Sequence, residues 1–132
     1  MIKLVKQTRR NNCTAACLAM LTGYSLEETM KHFHHDWMSG SVPWYKHNPY
    51  TYLVKNGFNP LLICSPYDNE IRSGGLSLLT VASLNNVGWG HHIVADATGD
   101  EVVYLDPSKQ EAYTERPPFW LVDLYLMCDE VR

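Results

Sequence analysis

No apolar run in the sequence approaches the ~18 consecutive residues that a membrane-spanning helix needs, so no transmembrane segment is expected. Residues 1–12 are polar and basic, without the apolar centre of a secretory signal. Charge of one sign is scarce too. Charged side chains make up 19 % of the chain and the formal net charge is −3, which gives no electrostatic footing for nucleic acid. The small basic group Lys6, Arg9 and Arg10 reads as a solvated face. Cysteine is sparse, with four in 132 residues (Cys13, Cys17, Cys64 and Cys128), and only the first two are closely spaced. No repeat, low-complexity tract or linker divides the chain. The expectation is a single domain over residues 1–132, cytoplasmic, with reduced thiols. Apolar residues at 45 % suffice for one hydrophobic core without disulfide staples.

What is present is a change of pattern along the chain. Asn11 and Asn12 are good N-cap types just before Cys13. Ala15, Ala16, Leu18, Ala19, Met20 and Leu21 favour helix, and Gly23 suits its stop. Ser25-Leu26-Glu27-Glu28 reads as a capping box that opens a second helix to about Phe33, with Glu28 reaching back to the Ser25 amide. Residues 36–48 read as a loop carrying Trp37, Trp44 and Tyr45. With Tyr50 and Tyr52 these aromatics form either a small core under the loop or the wall of a peptide groove. Asn48-Pro49 opens a short helix that Gly57 ends. The later pattern is strand-like: Leu61–Cys64, Leu76–Leu84, His91–Ala97, Glu101–Leu105 and Trp120–Met127, with "TGD" as a hairpin signal between the third and fourth. Helices first and strands afterwards indicate an α+β fold with an antiparallel sheet.

The chemistry centres on Cys13. A thiol attacks as thiolate, and unpaired amides at a helix start favour that anion. Cys13 is predicted at the first helical position, with Cys17 one turn inside as a small packing residue. A cysteine nucleophile needs a base close in space. "GWGHHIVAD" offers His91 and His92 at a strand start, and "YLDPS" ends the next strand with Asp106. Adjacent strands can set one imidazole beside this carboxylate, which would orient it while it takes and returns the thiol proton. Gln7 can donate to a developing oxyanion alongside the Cys13 amide.

Gln7, "NCTAACLAM", "GHHIVAD" and "YLDPS", in this order and spacing, resemble the papain-like cysteine peptidases. They are most similar to the bacteriocin-processing (double-glycine leader) peptidases and their stand-alone relatives. The resemblance spans Gln7 to about Asp106. It implies a papain-like fold and a Cys-His-Asp triad of Cys13, His91 and Asp106, with Gln7 in the oxyanion hole. It also implies a peptide or protein substrate and no metal or cofactor. Of the two histidines the family pattern favours His91, which precedes the apolar strand residues; His92 stands in a slot usually apolar or aromatic. Two positions depart from the pattern: Asn12 replaces an acidic residue, and Thr14 replaces a glycine beside the nucleophile.

Other readings stand next to this one. Cys13 and Cys17 have a spacing found in zinc sites, with His32, His34 and His35 as further donors, but a second cysteine pair is missing. A Cys13–Cys17 disulfide within a helix lacks the required geometry. His32 and His35, one turn apart, also simply suit a helix C-terminus. A papain-like module that binds a partner without catalysis is a rival of a different class. Deamidation and acyl transfer use the same triad.

Overall fold

The computed structural model describes residues 2–8, 12–33, 48–63, 65, 67–82 and 90–127. Among these, three helices precede five strands. The helices are α1 (Cys13–Thr22), α2 (Leu26–His32) and α3 (Pro49–Lys55). The strands are β1 (Leu61–Leu62), β2 (Gly75–Ala82), β3 (Gly90–Asp96), β4 (Val103–Leu105) and β5 (Leu121–Met127). They form one sheet in the order β1-β5-β2-β3-β4, and every neighbouring pair is antiparallel. The α+β class and the helices-first order are those the sequence pattern indicates. No helix among the described residues is long and apolar enough to cross a membrane.

α1 is the centre of the molecule. Every residue from Thr14 to Thr22 is buried, as befits a helix apolar on all sides. It ends at Gly23, whose φ of 82° is the left-handed conformation that returns its N–H to the Ala19 carbonyl. The helix packs against β3 on one side and against α2 and α3 on the other. Leu18 and Leu21 join Phe33, Leu76, Leu78, Val94, Leu105, Leu124 and Leu126 in the main core. Strand alternation sends Leu79, Ile93, Ala95, Tyr104 and Val122 into a second cluster. Ile71, Tyr113 and Trp120 pack over that cluster, so apolar side chains cover both faces of the sheet.

Some helix starts carry the caps that the local sequence signals, and others do not. Asn48 accepts from the amides of Tyr50 and Thr51 at 2.8 and 3.4 Å, with Pro49 in the first turn of α3. Ser25 accepts from the Glu28 amide at 3.0 Å, which is half of the expected capping box. The Glu28 carboxylate turns instead to Lys31 and His32, at 3.8 and 3.4 Å. The "TGD" link is longer than a tight hairpin turn, because β3 ends at Asp96 and β4 starts only at Val103. Asp96 bends this connection by accepting the Thr98 amide at 3.0 Å. Tyr52 is buried edge-on against Phe33, with ring centroids 5.7 Å apart, so it belongs to the core. Asn11, His34, His35, Trp37, Trp44, Tyr45, Cys64 and Cys128 lie outside the described residues.

Two irregularities in the sheet position the site. β4 pairs with β3 only from Val94 to Asp96, so among the described residues His91 and His92 have a strand partner on the β2 side alone, and β3 packs against α1. The β2–β5 register slips between Leu78 and Leu79, which pair with Leu124 and Val122. Asp123 is therefore the extra residue of a β-bulge, a device that re-aims a side chain.

Candidate active site

Cys13 is the first residue of α1, as its sequence position predicts. The residue before it behaves unexpectedly. Asn12 occupies the N-cap position and is fully buried, yet no side chain caps this helix. The Asn12 carboxamide points backwards instead. It accepts from the Thr8 amide at 3.2 Å and donates to Thr8 Oγ1 at 2.9 Å and to Met30 Sδ at 3.4 Å. Asn12 thus ties the incoming segment to α2, and the amide-rich start of α1 is not taken up by an N-cap side chain. Such a helix start favours negative charge on Cys13.

His91 lies on β3, facing the end of β4. Its Nε2 is 2.7 Å from Asp106 Oδ1, and both side chains are largely buried. Asp106 directly follows β4, in an Asp-Pro-Ser turn. Its Oδ1 also accepts from the Ser108 amide at 2.9 Å and the Ser108 hydroxyl at 2.7 Å. With Nε2 donating to the carboxylate, the other ring nitrogen is left for the thiol, and the imidazole hydrogen-bonds Cys13. The His92 main-chain amide hydrogen-bonds the same sulfur. Cys13, His91 and Asp106, separated by up to 93 positions in the chain, therefore form one connected array.

Electrostatics follow from these contacts. Burial raises the Cys13 pKa, but the His91 hydrogen bond, the His92 amide and the charge of both imidazoles outweigh it, lowering the thiol from 9.0 to about 7. Burial lowers the His91 pKa, but hydrogen bonds and charge from Asp106 and Cys13 outweigh it, raising the imidazole from 6.5 to about 9. For Asp106, burial works against ionisation, and the hydrogen bonds from His91 and Ser108 prevail, so its pKa is lowered. Between about 7 and about 9 the site holds a thiolate beside an imidazolium. Cys17 is the opposite case: fully buried in α1, its thiol is pushed well above 9.0 by burial and stays protonated. The two cysteines four residues apart therefore have opposite chemistry.

Gln7 is brought to this end of the molecule by its main chain. Its amide donates to the Pro107 carbonyl at 2.9 Å, next to Asp106, and its carboxamide oxygen is buried. As for metals, no group of three or more His, Cys, Asp or Glu side chains among the described residues converges as a metal site would. His32 closes α2 against Glu28, and Cys17 packs in the core.

A second array has no signature in the local sequence. Thr14 Oγ1 lies 2.7 Å from His92 Nδ1, and His92 Nε2 lies 3.1 Å from Asp123 Oδ2. Thr80 Oγ1 donates to the same Asp123 oxygen at 2.6 Å. His92 is thus tied into the interior rather than left on the surface. Strand alternation explains why His91 and His92 join different partners. The Ser108 contact does have one, since Asp-Pro-Ser is a turn signature in which a serine commonly bonds back to the aspartate. No protein-family model matches this sequence, and the search of curated proteins found no match.

Proposed function

We propose that this chain is a cysteine hydrolase of papain-like fold, a peptidase that cleaves a peptide or isopeptide bond through Cys13, His91 and Asp106. The observation that carries the reading is that one imidazole joins a thiol at a helix start to a buried carboxylate. That set supplies a nucleophile, a proton carrier and an orienting group. The Cys13 thiolate attacks the carbonyl carbon, forming a C–S bond. The resulting oxyanion takes hydrogen bonds from the Cys13 amide and the Gln7 side chain. The His91 imidazolium gives its proton to the leaving nitrogen as the C–N bond breaks. Water then attacks the thioester, His91 takes a proton from it, and the thiolate departs. Asp106 holds the ring throughout and balances its charge.

A thiol lowered to about 7 favours a working nucleophile over a module that only binds a partner. The experiment is a comparison of wild type and Cys13→Ala after incubation with a proteome, with new peptide termini read by mass spectrometry. The expected result is a set of new N-termini made by the wild type alone. If deamidated glutamines or amine-linked products appear instead, the same acyl-enzyme serves deamidation or transfer. If the two proteins give identical products of every kind, the hydrolase reading fails.

A further inference from the structure

The residues that follow the proposed nucleophile and base, Thr14 and His92, are joined to each other and on to Asp123 in a continuous chain. Its proton directions follow from what each group can donate. The Asp123 carboxylate only accepts, so Thr80 Oγ1 and His92 Nε2 both donate to it. Thr14 Oγ1 meets Nδ1 of the same ring across 2.7 Å, donating to a neutral imidazole and accepting from a protonated one. The Thr14 hydroxyl is thereby turned toward β3, while its oxygen stays 4.0 Å from the Cys13 sulfur. Thr14 itself is only 7 % exposed, so this branched residue forms part of the packed wall instead of projecting over the nucleophile.

The array crosses three elements. Thr14 is in the first turn of α1, His92 is on β3, and Asp123 is the bulged residue of β5. A regular β2–β5 register would give Asp123 a β2 partner of its own; the bulge releases it from that pairing. Thr80, which lies opposite His92 on β2, completes the link. Two members of the array sit against the thiol: Thr14 follows Cys13 in the helix, and the His92 amide contacts its sulfur.

We propose that Thr14, His92 and Asp123 are positioning residues that hold the first turn of α1 and the His92 main-chain amide in register around the Cys13 sulfur. The array touches neither the scissile bond nor the leaving group. It acts through Cys13, and this inference rests on Cys13 being the nucleophile.

The test is the pH dependence of Cys13 alkylation by iodoacetamide in the full chain, with the melting temperature measured in parallel. Wild type should titrate near 7. Thr14→Val keeps the branched shape but loses the hydroxyl, and Asp123→Ala removes the anchor. Each should raise the midpoint by about half to one unit, slowing alkylation at pH 7 about two- to fivefold. Thr14→Ser keeps the hydroxyl and should restore the wild-type midpoint. If Thr14→Val and Asp123→Ala melt earlier but titrate as wild type does, the array is a structural brace only and the proposal is overturned. If wild-type Cys13 itself titrates near 9.0, the nucleophile reading fails and takes this inference with it.

Discussion

Replacing Asp106 by Asn removes the negative charge beside His91 while nearly conserving shape. His91 Nε2 then loses its charge-assisted hydrogen bond, now 2.7 Å long. The imidazolium is held at about 9 instead of 6.5, a rise of about 2.5 units to which Asp106 is the largest favourable contributor. Without the carboxylate His91 is mostly neutral at pH 7, and the thiolate loses the cation that offsets its burial. Cys13 stands 9.0 − 7, or about 2 units, below its ordinary value, about 3 kcal/mol in favour of the thiolate. If half of that is lost, the midpoint moves to about 8, and at pH 7 the ionised fraction falls from about one half to about one tenth. Full loss brings it to about one hundredth. The assay is the second-order rate of iodoacetamide alkylation between pH 5 and 10, with Cys13→Ala as blank. Alkylation at pH 7 should fall about five- to fiftyfold, while the rates of the two proteins converge at high pH. A variant profile that superimposes on wild type would refute the claim that Asp106 sets the charge state of this site.

Further outcomes follow from the same geometry. His91→Ala should abolish rapid alkylation of Cys13 at neutral pH, whereas His92→Ala should only weaken it; the reverse order would show that the wrong face of β3 carries the base. Acylation by a substrate needs thiolate and imidazolium together, so its rate should rise as pH rises through about 7 and fall as it rises through about 9, as read from initial rates across that range. Cys17 should resist the same reagent in the native protein and react once it is denatured, counted by intact mass. Gly75→Ala should lower the melting temperature, because an added Cβ collides with the Leu126 carbonyl and the Tyr125 ring on β5. A cost of about 1–3 kcal/mol corresponds to about 4–11 degrees by calorimetry.

The parts of the site legible in the sequence are those that local rules determine. Cys13 lies at a helix start because small, helix-favouring residues follow it and Gly23 stops the run. Strand alternation says only that His91 and His92 face opposite ways, and the choice of His91 came from the family resemblance; a short connection brings Asp106 back beside His91. What escaped depends on partners distant in sequence. Asn12 has the right side chain for a cap, but Thr8 and Met30 compete for it and win. Glu28 has the right spacing for a capping box, but Lys31 and His32 attract its carboxylate. Asp123 sits among apolar residues in a run that reads as an ordinary strand. Only the register slip against β2 reveals that it is bulged toward His92, and nothing in the local pattern announces a bulge. The late start of β4 was hidden for a similar reason, since Val102 looks as strand-like as Val103.

The most direct test of the central claim is time-resolved intact-mass spectrometry of the protein with an activated acyl ester. One acyl group should form on Cys13 faster than on free cysteine and then be lost to water, with the unmodified mass restored. Cys13→Ala should gain nothing, and His91→Ala should acylate slowly or not at all. An adduct that forms no faster than on free cysteine, or one that accumulates on Cys13 and is never hydrolysed, would contradict a cysteine hydrolase.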